Sequence, residues 1–112
     1  MKITEKARDR VKVLTLEGKL TLGLGDMELQ SRMSQVVGDG ARAVVLNMHG
    51  VTVVDSSGVG ALVSAHTSMQ RNDGRMALSN VPPKCMDLLM MTQLITVFDV
   101  YDTEDEAVAA LA

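Results

Sequence analysis

The pattern of hydrophobic residues changes abruptly halfway along this sequence, at Asp55-Ser56-Ser57-Gly58. Before the change, Val51-Thr52-Val53-Val54 is apolar and β-branched, which favours a packed, extended segment, and a stronger strand pattern precedes it at 43–46. After the change, apolar residues recur three and four positions apart, as on one face of a helix: Val59, Leu62, Val63, His66 and Met69 or Gln70. A buried strand is therefore predicted to lead directly into a helix at residues 58–72.

Comparable patterns predict the remaining elements. They are an edge strand at 2–6, a strand at 11–16 paired with it, a helix capped by Asp26 with Leu29, Met33, Val36 and Val37 inward and stopped at Gly38 and Gly40, strands at 43–48 and 76–79, a helix from Pro82-Pro83 to about Met91, a strand at 95–100, and a final helix after a capping box at 103–106. Strands that alternate with helices predict an α/β fold with a mainly parallel sheet of four to five strands. The central motif is expected at a carboxyl-end loop.

Length and composition predict one domain over residues 1–112. Hydrophobic residues make up 46% of the chain but aromatic residues only 2%, so the core is expected to consist of aliphatic side chains and methionines, of which there are nine. No linker, repeat or low-complexity segment is present.

The charge of the chain argues against a nucleic-acid partner, because the net charge is −3 and no predicted face collects Lys and Arg. A membrane span needs about 20 consecutive apolar residues, and the sequence contains no such run. The first residues, Met1 to Lys6, lack the apolar core of a signal peptide. We therefore expect a cytoplasmic protein without a membrane span.

Few residues suit metal or redox chemistry. Cys85 is the single cysteine and lies among apolar residues of a predicted helix, so a packed side chain is expected rather than a reactive thiol. The only histidines, His49 and His66, have no neighbouring ligand at metal-site spacing. Neither a metal nor another cofactor is predicted.

The motif itself has two interpretations on its residues alone. Ser56 or Ser57 can cap the unpaired N–H groups at the helix start, where the helix dipole would also hold a phosphate. Alternatively, Asp-Ser-Ser-Gly is simply a good turn and N-cap. The helix face opposite the apolar one carries small residues that form a smooth surface: Ser57, Ala61, Ser64, Ala65 and Ser68.

Catalysis by these serines is not expected. His66 lies nine residues beyond Ser57, about 13 Å along the same helix, and cannot serve as its base. The glycines at 23 and 25 resemble the start of a dinucleotide fingerprint, but Glu28 occupies its third position, where a negative charge would repel a phosphate. The chain is predicted not to be an enzyme.

A strand, then Asp55-Ser56-Ser57-Gly58, then an apolar helix, halfway along a chain of this length, resembles the STAS domain and, within it, the bacterial anti-sigma factor antagonists. The likeness extends to the strand ending near 17–20 and to the apolar and acidic pattern from 94 to 107. It implies a STAS-like sandwich with about four helices. One departure is Thr21, where many members carry an acidic residue that contacts a partner or nucleotide.

The resemblance implies a mechanism of partner switching. The first serine after the aspartate, here Ser56, is phosphorylated by a kinase that is itself the anti-sigma factor, and a separate serine phosphatase resets it. The unphosphorylated protein binds the kinase and frees a sigma factor, whereas the phosphoserine charge of about −1.5 to −2 opposes docking. The implied contact surface is Asp55, Ser56, Ser57, Gly58, Ala61, Ser64, Ala65 and Ser68.

Two alternatives remain open. The chain could be a standalone STAS subunit of another regulatory or transporter-associated complex, without serine modification. It could also be a small nucleotide-binding module that holds phosphate at the start of the motif helix. Ser57 also remains open as the modified residue.

Overall fold

Five strands form one sheet, and their spatial order is the same as their order in the chain. The computed structural model describes residues 1–112. The elements are β1 (Lys2–Arg8), β2 (Val11–Leu20), α1 (Gly25–Gly38), β3 (Ala43–Val54), α2 (Ser56–Arg71), β4 (Arg75–Ser79), α3 (Pro83–Met91), a 3₁₀ turn (Leu94–Thr96), β5 (Asp99–Tyr101) and α4 (Glu104–Leu111).

The sheet is mixed but mostly parallel. β1 pairs antiparallel with β2 through a tight turn in which Asp9 has a positive φ of 55°, and β2 through β5 pair in parallel. Parallel neighbours need long crossovers, and the helices supply them. The predicted α/β fold, with its initial hairpin and mainly parallel sheet, is confirmed.

Alternation along the strands gives the sheet two apolar faces. In β2, Leu14 and Leu16 face the larger core, which α1, α2 and α3 cover, whereas Val11 and Val13 face the smaller core under α4. Methionines 33, 48, 69 and 76 lie in the larger core, and Phe98 is its only aromatic side chain. The core is therefore aliphatic and rich in methionine, as the composition predicted.

Several helix boundaries follow the sequence signals. Helix α1 buries Leu29, Met33 and Val36, as predicted. The predicted cap is wrong, however, because α1 begins at Gly25 with Leu24 at the N-cap, and Asp26 lies buried inside the first turn. In α4 the predicted cap is present, with Thr103 Oγ1 accepting the Glu106 N–H at 3.1 Å.

The final strand is shorter than predicted. Residues 94–96 form a 3₁₀ turn that follows Gln93 in the left-handed conformation, and β5 begins only at Asp99. β5 pairs with three residues of β4, which itself has only five residues. Arg75 and Met76 of β4 continue beyond this pairing, so β5 is shortened by the 3₁₀ turn after Gln93 and not by the length of β4.

Candidate functional site

The Asp-Ser-Ser-Gly motif lies at the carboxyl end of the parallel strands. β3 is one continuous strand to Val54, Asp55 is extended with φ −108° and ψ −175°, and α2 begins at Ser56. Val54 pairs with Leu20, the last residue of β2. The motif is therefore a strand-to-helix junction, as the change in periodicity predicted.

Asp55 joins two pieces of backbone. Its Oδ1 accepts the Gly58 N–H at 2.9 Å, which caps α2, and its Oδ2 accepts the Leu22 N–H at 3.0 Å, in the loop between β2 and α1. These hydrogen bonds, Leu22 first and then Gly58, lower the pKa of the Asp55 carboxyl because they favour its charged form. The prediction that Ser56 or Ser57 caps the helix is wrong, because Asp55 occupies that position.

The two serines differ in exposure. Ser56 is exposed at the first position of α2, whereas Ser57 is half-buried. Neither hydroxyl takes part in a hydrogen bond, so neither is required to hold the turn. Of the two, Ser56 is the one an approaching protein can reach more easily.

Gly58 lies at a close backbone contact. A Cβ atom there would overlap the carbonyl oxygen of Leu20, and a Cβ at Gly25 would overlap that of Lys19. The first turns of α1 and α2 are thus packed on the end of β2. Only glycine permits this approach at Gly58.

The predicted small-residue surface of α2 is divided in two. Ala61 and Ala65 are buried in the larger core, and Ser64 and Ser68 line a shallow groove between α2 and α1. The expectation that all the small residues face a partner is wrong for Ala61 and Ala65, whose small size lets α1 pack closely on α2. Exposed positions lie one turn apart, at Ser56, Gly60 and Ser64.

Beside the motif lies a set of exposed apolar side chains that the sequence patterns did not predict. Leu22, Leu24 and Met27 are 72%, 60% and 64% exposed, and we call them the apolar rim. The hydrogen bond from Leu22 to Asp55 places this loop next to the start of α2. The sequence feature that could have predicted this surface is the leucine on each side of Gly23, in a loop where polar residues are usual.

The comparisons with known proteins identify the family. Residues 2–107 match the sequence family described as the STAS domain. This chain belongs to the STAS domain family.

Relatives of this STAS domain carry related names. An anti-sigma F factor antagonist from Paenibacillus polymyxa is 27% identical over 101 residues, which are 90% of this chain and 86% of that protein. An anti-sigma factor antagonist from Mycobacterium paratuberculosis has a similar structure, with a TM-score of 0.87 at 22% identity over 98% of this chain and 92% of that chain. The Bacillus cell fate determinant SpoIIAA in its phosphorylated form gives a TM-score of 0.76 at 22% identity, covering 99% and 100% of the two chains. The structural likenesses establish the fold.

The histidines of this STAS domain lie apart from the motif serines. His66 packs edge-on against Phe98, with ring centroids 5.7 Å apart, and His49 donates its backbone N–H to Asn47 Oδ1. No group of three or more His, Cys, Asp or Glu side chains is arranged to hold a metal ion. None of the helices combines the length and the hydrophobicity needed to cross a bilayer.

Thr21 contributes through its backbone. Its carbonyl accepts the Asp26 N–H at 3.2 Å and the Leu24 N–H at 3.4 Å, which closes the turn leading into α1. Thr21 is therefore a half-buried residue whose carbonyl shapes the loop that carries the apolar rim.

Proposed function

We propose that this STAS domain is an anti-sigma factor antagonist that acts by partner switching, with Ser56 as the phosphorylated residue. The observation that carries the proposal is the position of Ser56, exposed and without a hydrogen bond at the start of α2, beside the apolar rim. The names of the relatives support the same function. In this role the chain is a regulatory binding protein and not an enzyme.

Docking of the unmodified protein depends on the apolar rim. Leu22, Leu24 and Met27 expose most of their surface, and covering apolar surface contributes about 25 cal/mol per Å². Ser56 and Ser64 continue this surface along α2, where short side chains permit close approach of a partner helix or loop. The partner is an anti-sigma factor that is also a serine kinase.

Phosphorylation of Ser56 changes the surface more than the fold. A phosphate at the first position of α2 faces the positive end of the helix dipole, so the helix tolerates it. The same phosphate adds a charge of about −1.5 to −2 beside ionised Asp55 and the apolar rim. Docking would have to desolvate this charge, so the phosphorylated protein leaves its partner until a phosphatase removes the group.

The residues of the contact surface have separate roles in this proposal. Ser56 accepts the phosphate, while Asp55 and Gly58 fix the junction that presents it. Ser57, Ser64 and Ser68 lie at the edge of the contact. Such a cycle of kinase and phosphatase takes place in the cytoplasm, where sigma factors act.

Phosphopeptide mass spectrometry on the protein purified from its own cells tests the proposal, with fragmentation that separates Ser56 from Ser57. We expect phosphate on Ser56 in wild type and in the Ser57→Ala control, and none on that segment in Ser56→Ala. Because the Ser56 hydroxyl makes no hydrogen bond, Ser56→Ala should remain within about 0.5 kcal/mol of the wild-type free energy of unfolding. Protein that stays unmodified in every growth condition would contradict the switch and favour an unmodified STAS subunit.

A further inference from the structure

β3 extends well beyond its neighbour β4. β4 pairs only with Ala43–Asn47 of β3, whereas β2 pairs with β3 as far as Val54 on the other side. Residues 48–54 therefore have no strand beside them on the β4 side. An unpaired strand edge in the interior of a sheet offers N–H and C=O groups to an added strand.

The start of α3 forms the opposite wall of a groove along this open edge. The chain leaves β4 at Asn80, which has a positive φ of 54°, and enters α3 at Pro83. The groove has a volume of about 170 Å³ and is lined by residues 51–54 together with Pro82, Lys84 and Cys85. We call it the β3 groove. Pro82 and Pro83 have no N–H groups, so this segment cannot continue the ladder that β4 began.

The β3 groove is apolar with one positive charge. Val53 is 47% exposed, and Lys84 is the only charged side chain that lines the groove. Lys84 is exposed and forms no salt bridge, and the first turn of α3 carries no acidic side chain. The charge is therefore free to pair with a carboxylate from outside.

We propose that the β3 groove binds an extended segment of a partner protein as an added strand on residues 51–54, with a carboxylate of that segment paired with Lys84. A cavity of about 150 Å³ accommodates a benzene ring, so the groove has room for one large apolar side chain. Backbone pairing supplies affinity in this mode of recognition, and the side-chain pocket and the charge supply selectivity. The proposal does not depend on modification of Ser56.

A second copy of this chain fits the groove poorly. The groove lining contains no acidic side chain, so a second copy that adds its own residues 51–54 as the strand offers Lys84 no carboxylate from within that segment. The charge complementarity therefore favours a different protein with an Asp or Glu next to an apolar residue.

A phage-displayed library of random heptapeptides, selected on the full chain, tests the proposal. Enriched peptides should combine an apolar residue with Asp or Glu, and their affinities can be measured by fluorescence anisotropy. Lys84→Glu should weaken binding about tenfold or more, because it replaces an opposite charge with a like charge. The matched control is Lys2→Glu, which reverses the charge of a second exposed, unpaired lysine, on the edge strand β1. This change should alter the affinity less than twofold.

Amide hydrogen exchange locates the bound peptide. We expect slower exchange at backbone amides within residues 51–54, with those of the edge strand β1 unchanged, in wild type and in Ser56→Ala alike. No enriched peptide, protection at β1 instead, or equal affinities for wild type and Lys84→Glu would overturn the proposal. Concentration-dependent dimerisation with protection of residues 51–54 would assign the groove to a second copy and overturn it as well.

Discussion

The Asp55 carboxylate holds the loop after β2 and the first turn of α2 through one hydrogen bond from each. Asp55→Ala removes both bonds, and we expect a lower urea midpoint of unfolding. Asp55→Asn keeps one side-chain oxygen for the Gly58 N–H and loses the charge, so its midpoint should lie between those of Asp55→Ala and wild type. Equal midpoints for the two variants would show that the cap contributes nothing.

The same carboxylate predicts a dependence on pH. Its pKa in the folded protein is lowered from the ordinary 3.8, so the unfolded chain binds the proton more tightly. Its contribution to stability is therefore fully present above about pH 3.8 and is lost as the pH falls through the folded-state value. Urea midpoints measured from pH 6 downward should show the difference between wild type and Asp55→Asn shrinking below that pH.

Two glycines of α2 make a matched pair. A Cβ at Gly58 would overlap the Leu20 carbonyl, so Gly58→Ala should destabilise the fold by about 1–3 kcal/mol. A Cβ at Gly60 meets no atom within 4 Å, so Gly60→Ala should stabilise it by about 0.5–1 kcal/mol through helix propensity. Urea unfolding of both variants measures the two effects. A lower free energy of unfolding for Gly60→Ala than for wild type would contradict the open space assigned to this position.

The sequence predicted the position of the strand-to-helix junction but not which residue caps α2. Asp55, Ser56 and Ser57 are all residues that favour an N-cap. The register of β3 on β2 makes the choice, because Val54 pairs with Leu20 and the next residue, Asp55, directs its N–H to the Leu20 carbonyl at 3.4 Å. A local motif does not show how distant segments of the chain pair, so the capping residue could not be predicted from it.

Helix α4 is connected to the sheet by hydrogen bonds and ion pairs of Glu104. This carboxylate accepts hydrogen bonds from Arg8 Nη1 at 2.7 Å and Asn47 Nδ2 at 3.1 Å, and Lys6 Nζ lies 3.0 Å away. Burial raises its pKa, but the bonds from Asn47, Arg8 and Lys6 together outweigh burial, and the pKa of Glu104 is lowered. One side chain thus connects α4 to β1 and β3.

Glu104→Gln should destabilise the protein by about 1–2 kcal/mol, because Arg8 and Lys6 lose their charged partner. Asp105→Asn is the matched control, since Asp105 also contacts Arg8, at 2.8 Å, but is 84% exposed, and its effect should stay within about 0.5 kcal/mol. The comparison is made by urea unfolding at pH 7, above the ordinary Glu104 pKa of 4.5. Equal decreases in the free energy of unfolding for the two variants would contradict the conclusion that Glu104 is the carboxylate that holds α4.

Periodicity predicted the helices well but assigned the faces of α2 incompletely. It identified Val59, Leu62 and Met69 as inward residues, and they are buried. It placed Ala61 and Ala65 outward because one apolar stripe accounts for contact with a sheet, while α2 also packs against α1. A second buried stripe made of small residues has no hydrophobic signal strong enough to stand out in the sequence.

We expect the buried Cys85 to report on unfolding of the entire protein. Its thiol is buried in the larger core, and burial raises its pKa to about 11, so little thiolate forms at neutral pH. We expect a thiol reagent to label Cys85 slowly, with a rate that rises with urea as steeply as global unfolding does. Protein unfolded in urea is the control for full reactivity. Rapid labelling of the native protein would show a local opening around α3.

The fold as a whole could be predicted because strand and helix patterns alternate without interruption and length allows one sheet. The open edge of β3 could not be predicted, because it depends on the different lengths of two strands that are neighbours only in space. The apolar rim escaped prediction for a related reason: exposure of Leu22 and Leu24 becomes visible only when the loop is placed outside the core.

The order of the strands also bears on how the chain is made. Because spatial order equals chain order, each new strand adds to the edge left by the strand before it, and none must be inserted between two earlier ones. Ribosomes add about 5–20 residues per second, so residues 1–112 take roughly 6–22 s to synthesise. During that time the sheet can extend in a single direction as the polypeptide emerges, and synthesis and folding can proceed together from β1 to α4.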